Sequence, residues 1–130
     1  MMKLKKVLPI CSLLLCSMIP VCSAADWKYV AQEPGTEMHY YLDKESAWYD
    51  GTEGGSITKC ENKDTGYMLM DTINFINRSD GDYNATITKI KIFDANGKLV
   101  DTISTGTAGV ATADSILGKI CRMIIDMSKS

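Results

Sequence analysis

The run from Thr86 to Ser104 constrains this chain more than any other. Thr88, Ile90 and Ile92 alternate with Lys89 and Lys91, so one side of an extended segment is apolar and the other charged. Ala95-Asn96-Gly97 follows, and a second extended run from Leu99 to Ser104 returns. Asn-Gly between two such runs is the strongest short-range hairpin signal, because both residues tolerate the positive φ of tight turns. A chain holding this hairpin builds an antiparallel sheet around it.

The segments on either side supply the remaining strands. Trp27 to Ala31 reads as a short strand, closed by a turn over Gln32-Glu33-Pro34-Gly35-Thr36. Met38 to Asp43 alternates, with Met38, Tyr40 and Leu42 on one face. Asp43 to Ser46 reads as a turn or one short helical turn, and Gly51 to Gly55, with three glycines, as a loop. Ser56 to Glu61 is a strand carrying Cys60. Tyr67 to Asn77 is a longer strand, apolar on both faces and so central. Arg78 to Tyr83 reads as a polar loop, and Thr105 to Ala111 as a Gly/Thr/Ala loop.

A helix is expected from about Ala113 to Asp126, capped by Thr112 or Asp114. Ile116, Leu117, Ile120, Cys121, Ile124 and Met127 repeat at helical spacing and form one apolar stripe. The expected fold is α+β: an antiparallel β-sheet of about five to six strands with one C-terminal α-helix packed on a face.

Residues 1–25 carry a different signal. Lys3, Lys5 and Lys6 precede an apolar run from Val7 to Val21, which ends at Cys22-Ser23-Ala24-Ala25. Charged, apolar, then small is the order of a secretory signal peptide, here with cleavage expected after Ala24 or Ala25. A membrane anchor is the alternative, but the apolar run has 15 residues with Pro9 and Pro20 near its ends, where a spanning helix needs about 20. A lipid-modified cysteine requires a small residue before it, and Leu15 and Val21 are bulky. The reading is an exported bacterial protein, periplasmic, cell-surface associated or secreted, with one domain over residues 26–130.

Removing the leader changes the composition. The chain has 14 basic and 16 acidic residues, and the leader holds three of the basic ones and no acid, so the remainder has a net charge of −5. An acidic domain repels phosphate backbones, which argues against nucleic acid as a partner. Five cysteines become two, Cys60 and Cys121. An even pair in an exported chain reads as a disulfide, which would pin the helix to the sheet and stabilise by roughly 4 kcal/mol in the chain-entropy model. Two separate buried thiols are the other reading. Two cysteines and one histidine are too few for a standard zinc site.

Few residues carry a chemical signal. His39 is the only histidine, and nothing near it in sequence marks a nucleophile, so no catalytic residue and no cofactor is assigned. Asp80-Gly81-Asp82-Tyr83-Asn84 has the D-x-D-x-N spacing of a calcium loop, but Ala85 stands at the glycine position and Lys91 at the closing glutamate, so no metal is assigned. Trp27, Tyr29, Tyr40, Tyr41, Trp48 and Tyr49 crowd the N-terminal third. They read as core filling and cross-strand pairs, or as an exposed binding patch, with Tyr40, Tyr41, Trp48 and Tyr49 the binding candidates.

Several pieces together resemble the surface-adhesin protein E family of exported bacterial proteins. They are Trp27-Lys28-Tyr29-Val30, then Tyr40-Tyr41-Leu42-Asp43 with Ser46, then Ile92 through Val100, and Ala113-Asp114-Ser115-Ile116 leading to Cys121. The chain departs from the pattern at Ala113, where the family often has Pro, and in the Gly106–Val110 segment, which lacks a Trp. Cys60 also lies earlier than the family's first cysteine. The resemblance implies an antiparallel sheet with a helix on one face, often dimeric, and a protein that binds host matrix or plasma proteins. The expected function is therefore a non-enzymatic binding protein with a host matrix or envelope protein as ligand, possible homodimerisation, and no membrane span after cleavage. The alternative is a periplasmic inhibitor or small-ligand module of the lysozyme-inhibitor type, working through a protruding loop (Gly51–Gly55 or Thr105–Ala111) or a pocket.

Overall fold

The computed structural model describes residues 25–129. The expected leader lies outside the described residues except for Ala25. Seven strands, β1 (Trp27–Gln32), β2 (Met38–Asp43), β3 (Trp48–Tyr49), β4 (Glu53–Asn62), β5 (Met68–Asn77), β6 (Tyr83–Phe93) and β7 (Leu99–Ala111), precede one helix, α1 (Ile116–Ser128). Every strand pair is antiparallel, in the order β1-β2-β4-β5-β6-β7, with β3 paired to β4. The α+β class and the C-terminal helix match expectation; the strand count is higher because the two-residue β3 is too short to leave an alternating pattern.

The hairpin over Ala95–Gly97 forms as expected. Gly97 takes φ 81°, its N–H donates to the Asp94 carbonyl at 3.0 Å, and the Asp94 N–H donates to the Lys98 carbonyl at 2.9 Å. Three residues therefore close the turn, with glycine at the left-handed position. The Asp94 carboxylate accepts from the N–H groups of Asn96 and Lys98 and fixes the loop.

Two segments expected as loops are strand. Gly54 and Gly55 lie inside β4 and are buried. A Cβ on Gly54 would sit 2.6 Å from the Trp48 carbonyl oxygen and 2.9 Å from the Phe75 ring. These glycines let β3 and Phe75 close over the backbone, which is the other use of glycine in a strand. Thr105–Ala111 continues β7, with Thr107–Ala111 pairing with Tyr83–Ile87 of β6. The low β-propensity of Gly109 is overridden by this register, whereas Gly106 falls at the shift between the Ile87–Thr107 and Lys89–Ser104 pairs.

Asp43 and Ser46 build the corner between β2 and β3. Asp43 Oδ1 accepts from the N–H groups of Asp26 and Glu45, each at 3.0 Å. The Ser46 hydroxyl donates to the Asp43 carbonyl and accepts from the Ile57 N–H at 2.8 Å. The polar residues Asp43 and Ser46 are thus architectural.

The helix begins later than expected. Ser115 caps it, its hydroxyl accepting from the Gly118 N–H at 3.0 Å, while Thr112 and Asp114 bond to each other. A side chain on Gly118 would meet the Thr112 carbonyl oxygen, so glycine lets the incoming loop cross the first turn. Ile120, Cys121 and Ile124 bury the apolar stripe against Leu42, Ile73, Phe75, Tyr83 and Ala85. α1 packs on β4, β3 and β1 and leaves the face of β6 and β7 beyond Ala85 and Ala111 largely open. No described helix is long and apolar enough to cross a membrane.

The two rims of the sheet differ. β1 has six residues and a bulge between Tyr29 and Ala31. β7 has 13 residues, one charge (Asp101), no proline, almost no buried side chain and two register shifts against β6.

Candidate functional site

Period-2 alternation sends Tyr40 and Tyr41 to opposite faces of the sheet, and each face has its own concavity. On the face away from the helix, the register aligns Trp27, Tyr29, His39, Tyr41, Lys59 and Met70. Lys59 Nζ lies 4.6 Å from the Trp27 ring centroid and 4.9 Å from that of Tyr41, and Lys63 Nζ lies 5.6 Å from Tyr41. Tyr29 packs edge-on against Tyr41 at 5.4 Å, and its hydroxyl is 3.2 Å from His39 Nδ1. These rings are tied together by cation–π and edge contacts, which orient them more firmly than solvent would.

Beside this cluster lies a groove of about 150 Å³, walled by Trp27, Ile57, Met70, Lys89 and Lys91. Four lysines (59, 63, 89 and 91) stand on this face against the carboxylates of Asp43 and Glu61. Burial pushes the Glu61 carboxyl up, but its hydrogen bond to Lys63 and the charge of Lys59 outweigh that and hold it below its ordinary value. The surplus of positive charge stands out on a domain of net −5.

On the helix side, a cleft of about 290 Å³ opens where α1 begins. Ile116, Leu117 and Ile120 form its helical wall, and Cys60, Asp71 and Ile73 its floor. Glu33 and Tyr40 flank it, with the Tyr40 hydroxyl donating to Glu33 Oε1 at 2.9 Å. Burial first, then the contacts with Glu33 and Cys60, push the Tyr40 phenol up. Burial likewise raises the Asp71 carboxyl, whose Oδ1 has no hydrogen-bond partner.

The four aromatic binding candidates do not form one patch. Tyr41 belongs to the lysine-rich face and Tyr40 to the cleft. Tyr49 stacks on Phe75 at 6.0 Å and closes the core. Trp48 is 46% exposed on β3, and its carbonyl packs over Gly54. The alternation of β6 points to Lys89 and Lys91 sharing a face; their convergence with Trp27 needs the strand order, which no local pattern carries.

The expected Cys60–Cys121 disulfide is absent: both are free, buried thiols. Cys60 lies toward the open end of β4, next to Leu69 and on the cleft floor, whereas Cys121 is sealed in the core under the middle of α1. Burial raises both thiols, Cys121 to about 12. In the Asp80–Asn84 loop, Asp80 pairs with Arg78 at 2.9 Å, Asn84 accepts from Arg78, and Asp82 accepts from the Ala113 N–H. Among the described residues no group of three or more His, Cys, Asp or Glu side chains is placed to hold a metal ion.

Comparison of the chain with protein-family models, with curated proteins and with solved structures finds no significant match.

Proposed function

We propose that this is an exported, non-enzymatic binding protein that takes an acidic protein partner on the sheet face opposite the helix. The observation that carries the reading is Lys59 over both the Trp27 and Tyr41 rings, with Lys89 and Lys91 walling the groove beside Trp27. Oriented aromatic rings supply apolar contact area at low entropic cost, and surrounding lysines steer an oppositely charged surface. The resemblance to surface-adhesin protein E points the same way, toward host matrix or plasma proteins as ligands. A loop-inserting inhibitor is less well supported, since Gly54, Gly55 and Thr105–Ala111 are strand.

The test is surface immobilisation of the purified protein against panels of acidic and basic matrix, plasma and envelope proteins. Acidic partners should bind, with affinity falling as salt rises. The Lys89→Glu/Lys91→Glu double variant should lose at least about tenfold in affinity while keeping its circular dichroism. Binding that ignores both salt and these substitutions would remove this face from consideration.

A further inference from the structure

The cleft beside α1 is chemically unlike the lysine-rich face and calls for a different ligand. Two carboxyls, Glu33 and Asp71, line it together with the phenol of Tyr40 and the thiol of Cys60. No basic side chain among the described residues lines it. Its hydrogen-bonding groups are unevenly used. The Tyr40 hydroxyl already donates to Glu33, whereas Asp71 Oδ1 is shut off from solvent with no donor.

The walls are aliphatic. Ile73, Ile87, Ile116, Leu117 and Ile120 line the cleft, with Thr58 opposite Asp71 on the neighbouring strand. Register places Leu69, Ile90, Ile92 and Ile103 on the same side of the sheet, next to Asp71 and beyond the reach of the helix. Ile103 remains 41% exposed, so the floor runs on past the cleft as an uncovered apolar strip.

We propose that this cleft binds a small amphiphile with an aliphatic body and one protonated amine, the ammonium pairing with Asp71. An anionic head would face two carboxyls in a poorly solvated site, where like charges repel strongly. A neutral head would leave the half-buried carboxylate without an opposite charge. The ammonium brings the donors that Asp71 lacks. About 290 Å³ is at the small end of ligand pockets, which suits a short chain whose tail lies along Ile90 and Ile92. The site is separate from the proposed protein-binding face, so either reading can fail without the other.

The experiment is calorimetric titration of the purified protein with 1-octylamine, 1-octanol and octanoate. These ligands share a chain length and differ in head charge. Octylamine should bind saturably at one site, with octanol and octanoate at least about tenfold weaker. Asp71→Asn should cost the amine at least about tenfold and leave octanol unchanged. Leu117→Trp narrows the cleft from the helix and should weaken the amine as well, which covers an Asp71 variant that does not fold. Equal binding of the three ligands, preference for octanoate, absence of saturable amine binding, or an Asp71→Asn protein that binds octylamine normally would overturn the proposal.

Discussion

The Lys59 ammonium stands 4.6 Å from the centre of the Trp27 ring, joining β4 to the outermost strand β1 across β2. The same ammonium is 4.9 Å from Tyr41 on the strand between them, so one charge links three strands. Its side chain is only 14% exposed, and its ion pair with Glu61 at 3.6 Å is long. Two rings and one carboxylate therefore hold the ammonium together. Lys59→Met keeps the stem and removes the charge. It should lower the unfolding free energy by about 0.5–2 kcal/mol, read from urea melts, and an unchanged midpoint would show the contact to be energetically idle.

Two glycine substitutions should move stability in opposite directions. Gly54→Ala drives a methyl to 2.6 Å from the Trp48 carbonyl and 2.9 Å from Phe75, a case of overpacking expected to cost about 1–3 kcal/mol. At Gly106 an added methyl would meet no atom within 4 Å, and the backbone φ is not positive. Gly106→Ala should therefore stabilise by about 0.4–1 kcal/mol through the unfolded chain. Thermal melts of the two variants beside the parent decide both.

Asp71 makes the fold less stable as pH rises. Burial lifts its folded-state value above the ordinary 3.8, so between the unfolded and folded values the native state holds the extra proton. Stability then falls as pH climbs through that window, and the full penalty is present above the folded value. Asp71→Asn should accordingly raise the urea midpoint at neutral pH, with the advantage shrinking as pH falls through that window and gone below about 4. A constant advantage across this range would assign the effect to packing and not to charge.

Thiol accessibility distinguishes two free cysteines from a bonded pair. Burial raises both thiols, Cys121 to about 12, and the thiolate is the reactive form. Iodoacetamide at pH 8 should label the peptides containing Cys60 and Cys121 at least about tenfold more slowly in folded than in urea-unfolded protein. Unfolding without reductant should expose both to label. Peptides that take label only after reduction would restore the disulfide.

Local chemistry wrote much of the fold into the chain. The alternation of β6, the Ala95–Gly97 turn and the apolar stripe of α1 are legible because each is set by neighbours within a few residues. Gly54 and Gly106 mislead for opposite reasons. The first is required by backbone and ring contacts from Trp48 and Phe75, which are distant in sequence from one another. The second falls where the β6–β7 register shifts, so no strand partner constrains it. Asp71 looks like an interruption of an apolar strand, and its isolation becomes visible only once α1 is laid beside it. Counting alone pairs the cysteines, but geometry sets them at different depths: one lines a cleft and the other fills the core.

The unequal rims of the sheet govern how copies of this chain can add to one another. β7 exposes 13 residues of nearly uncharged backbone as a template for another strand. The short β1, bent at its bulge, is a poor acceptor for that template. β7 is itself interrupted at two register shifts against β6, so neither rim offers an unbroken template. The rim that is long and nearly uncharged is thus also the one whose bulges turn its backbone away from further strands.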